Sequence, residues 1–225
     1  MRKTIGVTLM LLCFIFAASF NFNYLYAKKK SWKISLSLEK VIIESQPGGE
    51  QKSLEANGNN CSDDFMQIQW SPAPKRFDFV LTNKTGSPLT IIWEKSLFVD
   101  EKGIEHNVII ENVKFSESPK PIPPTTIAPK GKIKNMVYPR DYAVLTPKLE
   151  VVQDFVTKAT TSYEKKEWVK KEIFLKKIKL KQMKMQNKDF DIETYWQKTR
   201  YRVILALKIN GKETNYHFFF KPMEK

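Results

Sequence analysis

Two histidines, two cysteines and eight glycines in 225 residues leave little material for site chemistry. His106 and His217 stand in no zinc-ligand spacing, and only a cysteine remains to join them. The chain holds no G-x-S-x-G elbow, no P-loop and no G-x-G-x-x-G turn. Ser/His/Asp and Cys/His sites assemble in space, so spacing alone does not exclude them. His217 lies mid-strand among aromatics, where a sheet-face histidine is expected. Asp63-Asp64 and the Asp189/Asp191 pair read as solvated loop acids; weak binding of a hard cation is the alternative for the first. Asn83-Lys84-Thr85 matches a glycosylation sequon but reads as a turn. The expectation is a non-enzymatic protein with no catalytic residues, no cofactor and no metal.

The scarcity of cysteine sharpens once the N-terminus is considered. Arg2 and Lys3 precede an apolar run from Ile5 to Phe20, and Leu25-Tyr26-Ala27 leads into Lys28-Lys29-Lys30. A positive start, an apolar middle and a small residue at the cut are the layout of a secretory signal peptide over residues 1–27. Cleavage after Ala27 places Leu25 at −3; cleavage after Ser19 is the second choice. The competing reading is an uncleaved anchor, since Ile5 to Ala27 is 23 residues. Asn21 and Asn23 oppose it, being costly in hydrocarbon. A lipid anchor at Cys13 is opposed by Leu12, where the attachment box needs a small residue. The expected location is the periplasm or cell envelope. The mature chain then keeps Cys61 alone, which excludes an intramolecular disulfide. A buried small hydrophobe is the expected reading of Cys61; pairing between chains is the other.

Charge is abundant and uneven. The chain carries +14. Residues 164–188 hold ten Lys and three Glu, whereas residues 61–115 hold six basic and eight acidic side chains. Basicity is therefore a local feature laid on a near-neutral domain. Lys165, Lys166, Lys170, Lys171, Lys176 and Lys177 are the candidates for contact with an anionic surface, lipid headgroup or lipopolysaccharide. Nucleic acid is not the expected partner. A solvated Lys-rich face is the plain alternative.

The hydrophobic pattern is that of strands. Trp32, Ile34, Leu36 and Leu38 alternate with polar residues from Ser31 to Glu39. Residues 45–64, with Pro47-Gly48-Gly49 and Asn57-Gly58-Asn59-Asn60, read as a loop. Met66, Ile68 and Trp70 alternate, as do Phe77, Phe79 and Leu81, with Ser71-Pro72-Ala73-Pro74 breaking the run. Leu89, Ile91 and Trp93 share a face, and Phe98-Val99 and 108–113 follow. Turn signals every 8–12 residues predict an all-β sandwich or barrel. The Pro-rich stretch 116–131 predicts an extended connector or edge. Val152, Phe155, Val156, Ala159 and Tyr163 fall at helical spacing, with Thr146-Pro147 as cap and first turn, and predict an amphipathic helix. Residues 147–190 are thus expected to form a helical and Lys-rich insertion in one domain, 28–225. Tyr201 to Ile209 alternates, Asn210-Gly211 suits a type I′ turn, and Thr214 to Phe220 alternates again, predicting a C-terminal β-hairpin.

Phe77-Asp78-Phe79-Val80-Leu81-Thr82-Asn83-Lys84-Thr85, then Leu89-Thr90-Ile91-Ile92-Trp93, Ser96–Asp100 and Gly103, resemble a group of uncharacterised exported bacterial proteins, many of them lipoproteins. Ile127-Ala128-Pro129-Lys130-Gly131, Val137-Tyr138-Pro139 and the final hairpin carry the same resemblance, over about half of the mature chain. It implies an immunoglobulin-like antiparallel sandwich and an envelope location, and carries no activity. The Asn-x-Thr…Leu-x-Ile-x-Trp part is also similar to periplasmic pilus chaperones. The expected function is that of an exported, non-catalytic envelope protein acting through protein contacts. Binding of an anionic envelope surface through 164–188, and a chaperone-like sandwich, are the alternatives. N-terminal sequencing of the mature protein is expected to begin at Lys28; a start at Met1 overturns the cleavage reading.

Overall fold

The computed structural model describes residues 31–45, 49–113, 120–153, 160–174, 177–179 and 191–224; the expected signal segment 1–27 lies outside them. In chain order the strands are β1 (Ser31–Glu44), β2 (Gln51–Glu55), β3 (Asn60–Ser62), β4 (Met66–Ala73), β5 (Arg76–Asn83), β6 (Leu89–Ile91), β7 (Leu97–Val99) and β8 (Glu105–Ile110). There follow β9 (Thr125–Ile127), β10 (Lys132–Pro139), β11 (Ala143–Gln153), β12 (Thr160–Lys170) and β13 (Lys177–Lys179). A short helix, α1 (Ile192–Lys198), precedes β14 (Tyr201–Ile209) and β15 (Lys212–Glu224). No helix among the described residues is long and apolar enough to cross a membrane.

The chain divides into two compact units. The first is residues 1–33 with 177–190, where Ser31, Trp32 and Lys33 pair antiparallel with Lys179, Ile178 and Lys177. The second, residues 34–176 with 191–225, is mainly β and antiparallel. Its long sheet runs β1-β15-β14-β7-β8-β10-β5-β4-β3 and rolls nearly closed.

Alternation in the sequence becomes burial in the fold. Met66, Ile68 and Trp70 of β4 and Phe77, Phe79 and Leu81 of β5 are all buried, while their neighbours in sequence are not. Trp70 packs against Phe79, Phe218 and Phe220 with ring centroids 5.0, 5.1 and 5.4 Å apart. Phe77 reaches Phe220 and Phe98 at 5.0 and 5.5 Å. These contacts press β4–β5 onto β15 and β7. Asn59 stitches the seam: its Oδ1 accepts the Leu38 N–H at 2.9 Å, and its carbonyl accepts the Trp70 N–H at 2.9 Å. The register of β1 against β15 shifts between Leu38 and Lys40. That bulge resets the strand's phase, so Val41 is buried although the alternation from Ile34 to Leu38 is on even positions.

Backbone accounting explains the buried polar residues. β14 pairs with β6 at Leu207–Ile209 and with β7 at Arg202–Ile204, leaving a gap at Leu205 and Ala206. The 3₁₀ turn Trp93–Lys95 fills it: the Ile92 N–H donates to the Ala206 carbonyl at 2.8 Å, and the Ala206 N–H donates to Ser96 Oγ at 3.1 Å. Ser96 itself donates to the Ile92 carbonyl at 2.9 Å. Asn83 is fully buried and donates to the carbonyls of Ser87, Ile127 and Ala128, tying the end of β5 to β9. At the C-terminal hairpin Asn210 and Gly211 have φ of 50° and 81°, as a type I′ turn requires.

Three expectations are corrected. Residues 45–64 contain β2, paired to β1, and β3, paired to β4. β2 is a polar edge strand, Gln51-Lys52-Ser53-Leu54-Glu55, and shows no alternation to read. β4 runs through Pro72, which stands opposite Phe77 where β3 no longer covers the far edge, so its missing N–H costs no ladder bond. The helix expected at 146–163 is an antiparallel ribbon, β11–β12, paired without a break from Ala143↔Lys170 to Gln153↔Thr160. Val144, Thr146, Val151, Val152, Thr160 and Thr161 are β-branched, lose side-chain freedom in a helix and suit a strand. Phe155, Val156 and Ala159 lie outside the described residues.

Ser96→Ala strips the acceptor from the buried Ala206 N–H and should lower stability by about 1–3 kcal/mol. Urea denaturation checks it; a variant within a few tenths of wild type refutes the bridging role.

Candidate interaction surface

The ribbon grows from a rigid root. Tyr138, at the end of β10, donates its hydroxyl to the Tyr142 carbonyl at 2.8 Å and to the Lys171 carbonyl at 3.0 Å. The Lys171 N–H returns to the Tyr142 carbonyl at 3.0 Å. Ile173 and Phe174 are buried beyond it, with Phe174 6.3 Å from both Phe77 and Tyr201. Burial pushes the Tyr138 hydroxyl well above the ordinary phenol value, so it stays a donor.

Outside the root the strands pair with no other strand among the described residues: β11–β12 is a two-stranded sheet of its own. Its first rungs are apolar and open to solvent. Val144 stands opposite Val169, and Leu145 opposite Trp168. These four side chains are 37, 45, 43 and 41% exposed, which puts one apolar rung on each face of the ribbon. The next rungs are charged: Thr146 faces Glu167, Pro147 faces Lys166, and Lys148 stands opposite Lys165 in register. The Lys148–Glu167 ion pair, at 3.2 Å, is more than half exposed at both ends and contributes little.

Of the six candidate lysines, Lys166 and Lys171 are exposed and make no ion pair among the described residues. Lys170 is drawn into the root: its ammonium lies 5.3 Å over the Tyr138 ring. Burial, and then Arg76, hold its pKa below the ordinary lysine value. Lys165 is placed by register alone, Lys177 belongs to the first unit, and Lys176 lies outside the described residues.

Sequence spacing gave no sign of a charged cluster at the entrance to the ribbon. His106 of β8 is 8% exposed, with Nδ1 2.7 Å from an Asp141 oxygen and Nε2 3.4 Å from Asp100 Oδ2. The Tyr142 hydroxyl also reaches Asp100 Oδ2, at 3.4 Å. Burial acts to raise the Asp100 carboxyl, but the N–H groups of Ile104 and Lys102 and the His106 ring outweigh it and hold it below the usual value. The hydroxyl at this cluster, that of Tyr142, is a phenol pushed up to about 12, chiefly by burial. The rings of Phe98 and Tyr142 cover the imidazole at 6.3 and 5.1 Å. The arrangement ties the β7–β8 turn to the turn that enters β11.

The remaining candidates resolve into structure. His217 pairs with Glu44 at 3.2 Å on the sheet face, its pKa lowered by burial and by Arg202 against the pull of Glu44. Asp63 spends its carboxylate on its own chain, accepting from the N–H groups of Phe65 and Met66 at 2.8 Å each and from the Tyr216 hydroxyl at 2.6 Å. Cys61 is buried, and burial followed by Asp63 pushes its thiol up to about 11.

A carboxylate held below its ordinary value of 3.8 contributes stability above that pH and loses it as pH falls through the folded value. Asp100→Ala should therefore cost about 1–3 kcal/mol at pH 7, and less near pH 3, as read by thermal melts at both. An equal cost at the two pH values overturns the charged role. Native Cys61 should resist aromatic disulfide reagents at pH 8 and react at once in urea; fast native labelling refutes its burial. No known protein family matches this chain, and neither does any curated protein or solved structure.

Proposed function

We propose that this chain is an exported, non-catalytic protein of the cell envelope that acts by gripping a protein partner with ribbon β11–β12. The observation that carries the reading is the solvent-open pair of apolar rungs, Val144/Val169 and Leu145/Trp168, on a ribbon anchored by buried residues. Free strand edges invite a further strand. The exposed Lys148, Lys166 and Lys171 around those rungs favour acidic neighbours. The occupant we assign is an extended segment of an envelope protein that alternates apolar and acidic residues. Export rests on the layout of residues 1–27. An immunoglobulin-like sandwich is the architecture we assign to the body, supported by the packing of β4–β5 against β15.

A photo-crosslinking residue at position 168 should give the same adduct in intact envelopes on repetition. An alternating Val-Glu peptide should compete with it, and Leu145→Lys should abolish it. Adducts no stronger than from position 213, in β15, refute the reading.

A second reading, an anionic lipid surface, is favoured by Lys166 lying two residues from Trp168 on one strand, since Trp seats at headgroups while Lys reaches phosphates. Co-sedimentation with anionic vesicles should then be strong and salt-sensitive, absent with neutral lipid, and lost in the Lys165→Gln, Lys166→Gln, Lys171→Gln variant. Lys170 is left in place because it holds the root. Binding unchanged by the three substitutions removes this reading.

A further inference from the structure

Two lysines point into the rolled sheet at one of its ends. Side chains directly opposite on antiparallel strands share a face, so register tells which way each points. Tyr216 of β15, fully buried, stands opposite Ile43 of β1, and Ile43 stands opposite Lys52 of β2. Lys52 is therefore on the inner face. On β15, Thr214 and Lys212 precede Tyr216 by two and four residues and face the same way. Lys212 stands opposite Ile209, which is nearly fully buried. Both lysines are exposed because they sit where the wall ends, and neither makes an ion pair among the described residues.

The loop after β3 is pinned to this end. Asp63 accepts from the Tyr216 hydroxyl at 2.6 Å and from the N–H groups of Phe65 and Met66 at 2.8 Å each. That leaves the Phe65 ring 41% exposed. Loop and sheet enclose a cavity of about 440 Å³, inside the range of roughly 300–1,000 Å³ typical of small-molecule pockets. Ile43, Ile209 and Phe65 give it an apolar lining, and Lys52, Lys212 and Asp64 line it with charge. Asp63 also borders it, but both of its oxygens already accept hydrogen bonds from its own chain. The groups left for a ligand are two ammonium ions against one carboxylate. An inward lysine on an edge strand such as β2 also keeps further strands off; that role needs no ligand.

We infer that this cavity binds an apolar anion. A short hydrocarbon body lies among Ile43, Ile209 and Phe65, and a carboxylate or phosphate head meets Lys52 and Lys212. The apolar lining supplies affinity by removing hydrocarbon from water, and the lysines select the charged head. The site does not rest on the reading of the ribbon.

The test labels the isoleucine methyl groups of the full chain with ¹³C and follows Ile43 and Ile209 by NMR, so that binding elsewhere on the chain is not counted. Octanoate, octyl phosphate, octanol and acetate are titrated at constant ionic strength, below micelle formation. Saturable shifts of both signals with octanoate or octyl phosphate are expected, with octanol about tenfold weaker and acetate silent. The tighter of the two anions identifies the head as carboxylate or phosphate. Lys52→Gln and Lys212→Gln should each weaken binding about two- to fivefold. Phe65→Ala should weaken it also, and Asp64→Asn should tighten it. These four side chains are exposed, so the variants keep the fold. Three results each overturn the inference: no saturable shift of either methyl signal, octanol binding as tightly as octanoate, or octanoate binding unchanged in the double variant Lys52→Gln, Lys212→Gln. The first leaves the lysines as guards of the sheet edge.

Discussion

Trp70 lies against Phe79 on the neighbouring strand and against Phe218 and Phe220 from the far end of the chain. Without that contact the strands form one long antiparallel sheet with two free ends; with it, the sheet rolls onto itself and becomes a body with an inside. Aromatic rings suit this position because each buries a large area and prefers tilted or edge-on neighbours. The indole N–H of Trp70 finds no acceptor among the described residues, so the ring is held there by packing. The smaller devices depend on this closure. Asn59 bridges β1 and β4 only because the two are brought together, and the bulge after Leu38 is tolerated because Asn59 takes up its N–H.

The ribbon stands outside that economy. The core ends at Tyr138, Ile173 and Phe174. Beyond them β11 and β12 pair with one another and with no other strand among the described residues. A two-stranded sheet gains little from its own ladder, so the root must hold it, and the root is dense with hydrogen bonds: the Tyr138 hydroxyl alone donates to the carbonyls of Tyr142 and Lys171, at the two strand ends. His106 adds a second fastening through Asp141. A fastened base and solvent-open apolar rungs are the two features on which the proposed partner contact rests.

Strands buried on one face were legible in the sequence because their period survives in the letters. β5 and the C-terminal hairpin are examples, and Asn210-Gly211 names its own turn. β2 was invisible, since an edge strand with both faces wet carries no alternation. The helix expected over 146–163 rests on Val152, Phe155 and Val156, which happen to fall at helical spacing, while the β-branched residues around them suit a strand. Lysine counting found the basic stretch but not its division: Lys170 is a structural cation over Tyr138, and only tertiary contact reveals that. The cluster of Asp100, His106 and Asp141 spans some forty residues of chain, so it leaves no mark in sequence spacing.

The burial of Asn83 bears on how the protein is made. Its side-chain amide donates to three carbonyls and its Oδ1 accepts from Thr85, all inside the fold. It is also the first residue of an Asn-Lys-Thr acceptor sequence. A secretory pathway that attaches sugars to nascent chains reaches such an asparagine before it is enclosed. The glycan would then occupy the place of those three donated bonds and hold β5 and β9 apart. A host without that modification leaves the seam free to close.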